Sequence, residues 1–229
     1  MARILITSGP TRQFLDPVRY LTNASSGRMG AALATAALEA GHEVTVVSGP
    51  VTISYPQAAR LVPVVTTDEM LQAVMHHFPH HDGLIGAAAP CDYMPRKVAT
   101  EKIAKSGQPM VLELVETPDI VATAARSKRP DQWVVGFALE TEDIRFRALA
   151  KMEQKCCDLM VSNSAAAINA LENDVEILAA DGTVLARSRG PKEDVARAVI
   201  ASLATLPQFR APPAEQHSPS LPAGRRQSS

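Results

Sequence analysis

The first 50 residues place one helical pattern between two β-branched runs, and this order constrains the fold more than any other feature. Residues 3–7 and 42–48 are typical of buried strands. Between them, Met29, Leu33 and Ala40 recur at helical spacing over residues 27–41, and Gly41 is a stop signal. Strand, loop, helix and strand form a βαβ unit, so we expect a parallel sheet.

The alternation of strands and helices continues to about residue 206. Further strand-like runs are found at 61–65, 83–88, 111–115, 133–137 and 158–161. Helical patterns are found at 68–76, 143–155 and 192–206. A further helix is predicted to start near residue 117, with Thr117 as N-cap and Pro118 as the first helical residue. The Asp181-Gly182 turn between 174–178 and 183–186 predicts a hairpin. Residues 93–108 are lysine-rich and lack a core period, which predicts a loop or flap.

These patterns predict an α/β fold: a doubly wound, mostly parallel Rossmann-like sheet with a flap and a late β-hairpin. The domain is expected to span residues 1–206. Residues 207–229 are rich in Pro, Ser and Gln and are expected to form a disordered tail.

Composition excludes several classes of protein. The 23 Lys and Arg against 24 Asp and Glu give a net charge of -1, which argues against a nucleic-acid binder. No apolar run is long enough to span a bilayer, and the N-terminus enters a strand pattern without a signal peptide. Three cysteines are too few for a disulfide framework, so we expect a reduced, cytoplasmic setting.

The long loop at 8–26 leads into the first helix and is the first candidate site. The N-terminus of that helix offers free N–H groups to a phosphate, Ser25 and Ser26 add hydroxyls, and Gly27 allows close approach. The alternative is a serine-capped helix with a small residue against the sheet. A dinucleotide site is not expected, because G-x-G-x-x-G is absent and no acid follows the second strand.

Two further groups of residues could take part in chemistry. Small residues at 87–89 with Asp92 could let a ligand lie against the backbone, although the spacing alone favours tight packing with Asp92 capping a turn. Cations of the flap could close over a polyphosphate, although a charge run is more often a solvated face. These cations are Arg96, Lys97, Lys102 and Lys105, with Lys151 and Lys155 one helical turn apart elsewhere.

The remaining reactive side chains are less suggestive. His76, His77, His80 and His81 straddle Pro79, which breaks the regular helix face that two metal ligands would need, so a surface turn is favoured. Cys91 has no placed histidine partner and is not expected to be a nucleophile.

Taken together, these segments resemble the phosphopantothenoylcysteine synthetase family of the bacterial type, as a stand-alone synthetase without the flavin-dependent decarboxylase domain. The matching stretches are 6–12, 15–23, 25–30, 44–50, 87–92, 102–105, 117–120, 136–141 and 151–158.

The resemblance implies a ligase of coenzyme A biosynthesis. The carboxylate of 4'-phosphopantothenate would attack the α-phosphate of CTP, favoured over ATP, to give an acyl-nucleotide and pyrophosphate. The amine of cysteine would then displace the nucleoside monophosphate. Mg²⁺ is expected with the nucleotide and its ligands are unassigned. FMN is not expected, and members are typically homodimers.

The same resemblance implies roles for individual residues. Asn23 and Arg19 match residues that bind the acyl group and help its transfer, and Lys102 matches the flap lysine that assists acyl-nucleotide formation. The implied phosphate loop consists of Gly9, Ser25, Gly27 and Gly30. The implied pocket around the pantothenate and nucleotide consists of Ala88, Ala89 and Asp92. The implied nucleotide contacts are Phe137, Lys151, Lys155 and Asn163.

This chain departs from the family pattern at three positions. Ala104 replaces the middle lysine of the flap motif, so that position has no phosphate role. Pro90 and Cys91 replace the usual Val-Ala before Asp92, which changes the pocket wall. Two rival functions remain at this point: a non-catalytic nucleotide-binding module and an NAD(P) oxidoreductase.

Overall fold

The computed structural model describes residues 1–139, 143–163 and 173–210. The strands are β1 (Arg3–Ser8), β2 (Arg12–Phe14), β3 (Tyr20–Thr22), β4 (Glu43–Ser48), β5 (Arg60–Pro63), β6 (Gly83–Gly86), β7 (Tyr93–Pro95), β8 (Leu114–Glu116), β9 (Trp133–Leu139), β10 (Leu159–Asn163), β11 (Asn173–Ala179) and β12 (Val184–Gly190). The helices are α1 (Arg28–Glu39), α2 (Thr67–His77), α3 (Ile120–Arg126), α4 (Ile144–Lys155), α5 (Lys192–Ser202) and α6 (Pro207–Arg210), with 3₁₀ turns at Phe78–His80 and Leu203–Thr205.

One eight-stranded sheet runs through the domain in the order β12-β11-β10-β9-β6-β1-β4-β5. The strands from β10 to β5 pair in parallel, and β11 and β12 continue the sheet antiparallel. This arrangement confirms the predicted doubly wound, mostly parallel sheet. The late hairpin is also confirmed, as β11 and β12 are joined across Asp181 and Gly182.

Each face of the sheet has its own core. On one face α1 and α5 cover alternate residues of the central strands, including Ile4, Ile6 and Trp133. On the other face α2, α3 and α4 cover the intervening residues, such as Leu5 and Leu84. Strands that are buried on both faces consist of continuous apolar runs, and these runs made the strands recognisable in the sequence.

Short elements account for the differences from the sequence prediction. The loop at 8–26 contains a hairpin formed by β2 and β3, and residues 93–95 form β7 paired with β8. Strands of three residues are too short to produce a period. The predicted N-cap Thr117 is wrong: Asp119 caps α3, accepting a hydrogen bond from the N–H of Ala122 at 2.9 Å.

The domain boundary predicted at 206 falls just before α6. Phe209 of this helix packs edge-on against His42, with ring centroids 5.5 Å apart, and lies 6.1 Å from Trp133. The rest of the predicted tail, 211–229, lies outside the described residues. Among the helices that the structure describes, none has the length and apolar character required to cross a bilayer.

Candidate active site at the carboxyl ends of the central strands

A cavity of about 360 Å³ lies where β1, β6 and β9 end. The carboxyl edge of a parallel sheet is where ligands bind in doubly wound folds. Of the predicted site residues, Ala88, Asp92, Phe137 and Lys155 line this first cavity. Three carboxylates line it together with only one ammonium group: Asp92, Glu116 and Asp119 against Lys155.

The loop of residues 87–92, called here the pinned loop, forms one wall of the first cavity. Its backbone is held from several sides: the N–H of Ala88 donates to Thr7 Oγ1 at 3.3 Å, and the N–H of Ala89 donates to the carbonyl of Gly9 at 2.9 Å. An isolated parallel bridge joins Pro10 and Ala89. The strand-end residues of β1 and β6 are therefore locked in one relative position.

Threonine hydroxyls fix the end of the pinned loop. The N–H of Cys91 donates to Thr11 Oγ1 at 2.8 Å, and the carbonyl of Cys91 accepts from Thr117 Oγ1 at 2.6 Å and from Thr67 Oγ1 at 3.4 Å. Thr11 and Thr67 are fully buried and 2.8 Å apart at their hydroxyl oxygens. None of these threonines was predicted as a site residue, although Thr11 and Thr117 lie in stretches that carry the family resemblance.

The thiol of Cys91 belongs to the same network. It lies 3.6 Å from the carbonyl oxygen of Thr11, to which it donates, and burial raises the pKa of Cys91. The neutral thiol is therefore the stable form at neutral pH, as the sequence indicated by offering no histidine partner.

The N-terminus of α1 adjoins the ends of β1 and β4. Gly27 is the N-cap with φ +76°, so a left-handed residue and not a serine side chain starts the helix. A Cβ at Gly30 would lie 2.0 Å from Ser8 Oγ, and the missing side chain lets α1 approach β1 closely. At the same contact, the hydroxyl of Tyr55 donates to Ser8 Oγ at 2.9 Å, and the hydroxyl of Ser8 donates to the carbonyl of Gly27 at 3.1 Å.

A second, shallower cavity of about 390 Å³ lies beside this helix start. Asn23 and Ser25 line it, together with Arg12, whose guanidinium stacks on Tyr20 at 4.5 Å from the ring centroid. The amide of Asn23 donates to the carbonyl of Pro90 at 2.9 Å and to that of Ala89 at 3.3 Å. Because Pro90 lines the first cavity, this amide connects the two cavities.

The C-terminus of α4 supplies the cation of the first cavity. Lys155 Nζ pairs with Asp119 Oδ2 at 3.0 Å, and the other oxygen of Asp119 caps α3. Lys151 lies one turn earlier on α4 and does not line the cavity. Asn163 ends β10 in register with Leu139, and its side chain lies outside the described residues.

Neither Arg19 nor Lys102 lines the first or the second cavity. Arg19 Nη1 pairs with Asp16 Oδ2 at 3.4 Å, and its Nη2 donates to the carbonyl of Ile103 at 3.0 Å. Lys102 is exposed and precedes Ile103 in the flap, which is defined from here on as residues 96–113. The structure therefore brings together Asn23, the strand-end residues and Lys155, but not the two remaining predicted catalytic side chains.

One member of the histidine cluster, His81, has a structural role. His81 is buried, its Nδ1 lies 2.7 Å from the carbonyl oxygen of His77, and its Nε2 lies 3.0 Å from Thr45 Oγ1. Only a protonated Nδ1 can bond to a carbonyl, so Nε2 accepts from the threonine in the neutral tautomer. Burial lowers the pKa of His81, which favours this neutral form.

A family model and a bacterial relative both match most of this chain. The family model described as the DNA/pantothenate metabolism flavoprotein C-terminal domain matches residues 1–206. The coenzyme A biosynthesis bifunctional protein CoaBC of Vibrio parahaemolyticus is 41% identical over 187 residues, covering 78% of this chain but only 46% of that protein. The chain thus spans less than half the length of this relative.

Solved structures show the same fold. The crystal structure of the C-terminal domain of a CoaBC protein has a TM-score of 0.74 and 35% identity, covering 89% of this chain and 94% of that one. A Cab2 variant in complex with phosphopantothenate-cysteine has a TM-score of 0.73 at 16% identity, covering 89% of this chain and 85% of that one.

Proposed function

Since the chain belongs to the family of DNA/pantothenate metabolism flavoprotein C-terminal domains, we propose that it is a phosphopantothenate–cysteine ligase of coenzyme A biosynthesis. The observation that carries this proposal is the contact between Asn23 and the pinned loop, which joins a nucleotide-sized cavity to a shallow one beside a helix N-terminus. A ligase of this kind needs two adjoining sites, because two substrates must meet at one phosphorus atom.

In the proposed first step, the carboxylate of 4'-phosphopantothenate attacks the α-phosphate of CTP or ATP. An acyl-nucleotide forms and pyrophosphate leaves. We assign the nucleoside to the first cavity, against Ala88 and Phe137, and the phosphates to the edge where α1 begins, beside Ser25 and Gly27. Free N–H groups at that helix start suit an anion.

The first cavity has a negative lining, so a nucleotide bound there needs additional cations. Among the described residues its lining holds three carboxylates and one ammonium group, that of Lys155, so a nucleotide whose base lies in it would bring its phosphates close to net negative charge. We propose that Mg²⁺ arrives with the nucleotide and that Lys102 of the flap supplies further positive charge in the transition state. Among residues 1–139, 143–163 and 173–210, no three His, Cys, Asp or Glu side chains converge as a metal site.

In the proposed second step, the amine of cysteine attacks the acyl carbon and the nucleoside monophosphate leaves. We assign to Asn23, at the junction of the cavities, the role of orienting the acyl group while its amide donates to the carbonyl of Pro90. The product is an amide, and no electrons are transferred, so FMN has no chemical part in either step. The three unpaired thiols fit a reducing compartment, and we infer a cytoplasmic reaction.

We also propose that the protein forms a homodimer through its two small hairpins, β2–β3 and β7–β8, and the flap. Large apolar side chains are exposed in the β2–β3 turn, on β3, β7 and β8 and on the flap, including Val18 (59% exposed), Val98 (56%) and Val111 (93%). Exposed apolar side chains, where they lie together, commonly mark an interface. Sedimentation should give a dimer for the wild type and for the control Leu61→Lys on the edge strand β5, and a monomer for Val98→Lys with Val111→Lys.

A pyrophosphate assay tests the ligase directly. We expect pyrophosphate with 4'-phosphopantothenate and CTP or ATP, about one equivalent per site without cysteine and continuous release with it. The reaction without 4'-phosphopantothenate is the background control. If neither nucleotide yields pyrophosphate while one still binds, the chain is a nucleotide-binding module and not a ligase.

A further inference from the structure

The flap is closed at its base and is attached to the rest of the protein farther out. At the base, its first and last residues, Arg96 and Glu113, are joined by a backbone hydrogen bond of 2.9 Å and an ion pair of 2.8 Å. Farther out, the N–H of Ala99 donates to the carbonyl of Leu15 at 2.9 Å. From residue 104 to residue 112 the flap is exposed, so the attachments fix only the half that leads to Lys102.

Asp16, in the turn between β2 and β3, is the centre of the outer attachment. Its side chain is fully buried. Oδ1 accepts the N–H groups of Val18 and Arg19, both at 2.8 Å, and Oδ2 accepts the N–H of Ile103 at 3.2 Å and pairs with Arg19 Nη1. One carboxylate thus connects the turn with a flap residue 87 positions away in sequence.

The charge of Asp16 is stabilised where it lies. Burial alone would raise the pKa, but the three backbone N–H groups and the charge of Arg19 outweigh it, and the pKa of Asp16 is lowered from its ordinary value. An ionised carboxylate accepts four or more donors, whereas an amide of the same shape would turn one N–H₂ group towards those donors.

Both backbone groups of Ile103 are used in this attachment. Its N–H donates to Asp16 and its carbonyl accepts from Arg19. Because the two bonds fix the peptide units on either side of Ile103, they also fix the backbone from which the preceding Lys102 side chain extends. Asp16 lines neither the first nor the second cavity.

We propose that Asp16 is a positioning residue for Lys102, acting through Ile103, with the guanidinium of Arg19 completing the clamp. This inference rests on the proposed function, since it assumes that Lys102 serves the first step. It assigns Arg19 a role in holding the flap in addition to any contact with substrate.

The test uses Asp16→Asn in the full chain, with Asp181→Asn as the matched control. Asp181 also accepts a backbone N–H, that of Thr183 at 2.9 Å, but in the β11–β12 turn. In Asp16→Asn we expect hydrogen exchange at Ala99 and Ile103 to accelerate about 10- to 100-fold, the usual effect of losing a hydrogen bond to a charged group. The control should leave these amides unchanged.

A kinetic cycle separates positioning from general damage to the fold. We expect Asp16→Asn to lower kcat for pyrophosphate release about 10-fold or more and to leave KM for the nucleotide within about twofold. In a Lys102→Ala background, Asp16→Asn should cause no further loss, because both changes then remove the same contribution. Equal losses in both backgrounds would overturn the proposal.

A second variant covers the case in which Asp16→Asn does not fold. Ile103→Pro removes the flap donor and leaves Asp16 in place, and it should reproduce the kinetic loss. Unaccelerated exchange at Ala99 in Asp16→Asn, or unchanged pyrophosphate release in Ile103→Pro, would contradict the clamp. If the wild type releases no pyrophosphate, the proposed function fails with the positioning role, while the exchange measurement still shows whether the clamp exists.

Discussion

The pinned loop and the flap follow each other in the chain and contrast in how they are held. Every residue of the pinned loop from Ala88 to Asp92 makes a backbone hydrogen bond to another segment, and buried threonines supply several of the partners. The flap is exposed over most of its length and is attached to the rest of the protein through Ala99 and Ile103. The difference separates a cavity wall held along its whole length from a cationic segment that is held up to Ile103 and exposed beyond it.

Lys102→Ala is the variant expected to have the largest effect. Loss of a cation aimed at developing phosphate charge should slow pyrophosphate release about 100- to 1,000-fold. Since Lys102 is exposed, the melting temperature should not change. Lys105→Ala, in the unattached half of the flap, is the control. Equal losses in both variants would mean that pyrophosphate release does not depend on which flap lysine supplies the charge.

Asn23→Asp tests the junction between the two cavities. A carboxylate would face the carbonyl oxygens of Ala89 and Pro90 that now accept from the amide. We expect acyl-nucleotide formation to persist and transfer to cysteine to fall about 100-fold, seen as accumulated intermediate by mass spectrometry. Normal product release would remove Asn23 from the second step.

Thr67→Val probes the pinned loop through stability. The substitution keeps the shape but removes the hydroxyl that contacts Thr11 and Cys91, so we expect a loss of about 1 to 3 kcal/mol in the free energy of unfolding. Thr35→Val is the matched control, because the exposed Thr35 hydroxyl bonds only within α1. If urea unfolding gives equal values for the two variants, the buried threonines do not stabilise the wall.

The smallest effect is expected from pH acting on the flap attachment. The pKa of Asp16 is lowered below 3.8, so its stabilising contribution is complete above that value and is lost as pH falls through the lower folded pKa. The difference in unfolding free energy between wild type and Asp16→Asn should therefore shrink below about pH 4. A difference that stays constant to pH 2 would show that folding does not lower the pKa of Asp16.

Much of the fold was predictable because the central strands are buried on both faces and read as apolar runs. The β2–β3 and β7–β8 hairpins were not, since three-residue strands carry no period. For the site, the glycine and alanine positions at strand ends could be located by pattern. The Thr11–Thr67–Cys91 network could not, because threonine has no distinctive spacing and its partners are distant in sequence.

The position of Phe209 has a practical consequence for work on this protein. Its ring covers the edge of Trp133 and contacts His42, which in turn accepts a hydrogen bond from the N–H of Ala2. Ending an expressed fragment at Leu206, as the apolar pattern would suggest, would uncover an indole and loosen the first residue before β1. Fragments for crystallisation should therefore retain α6 through Arg210.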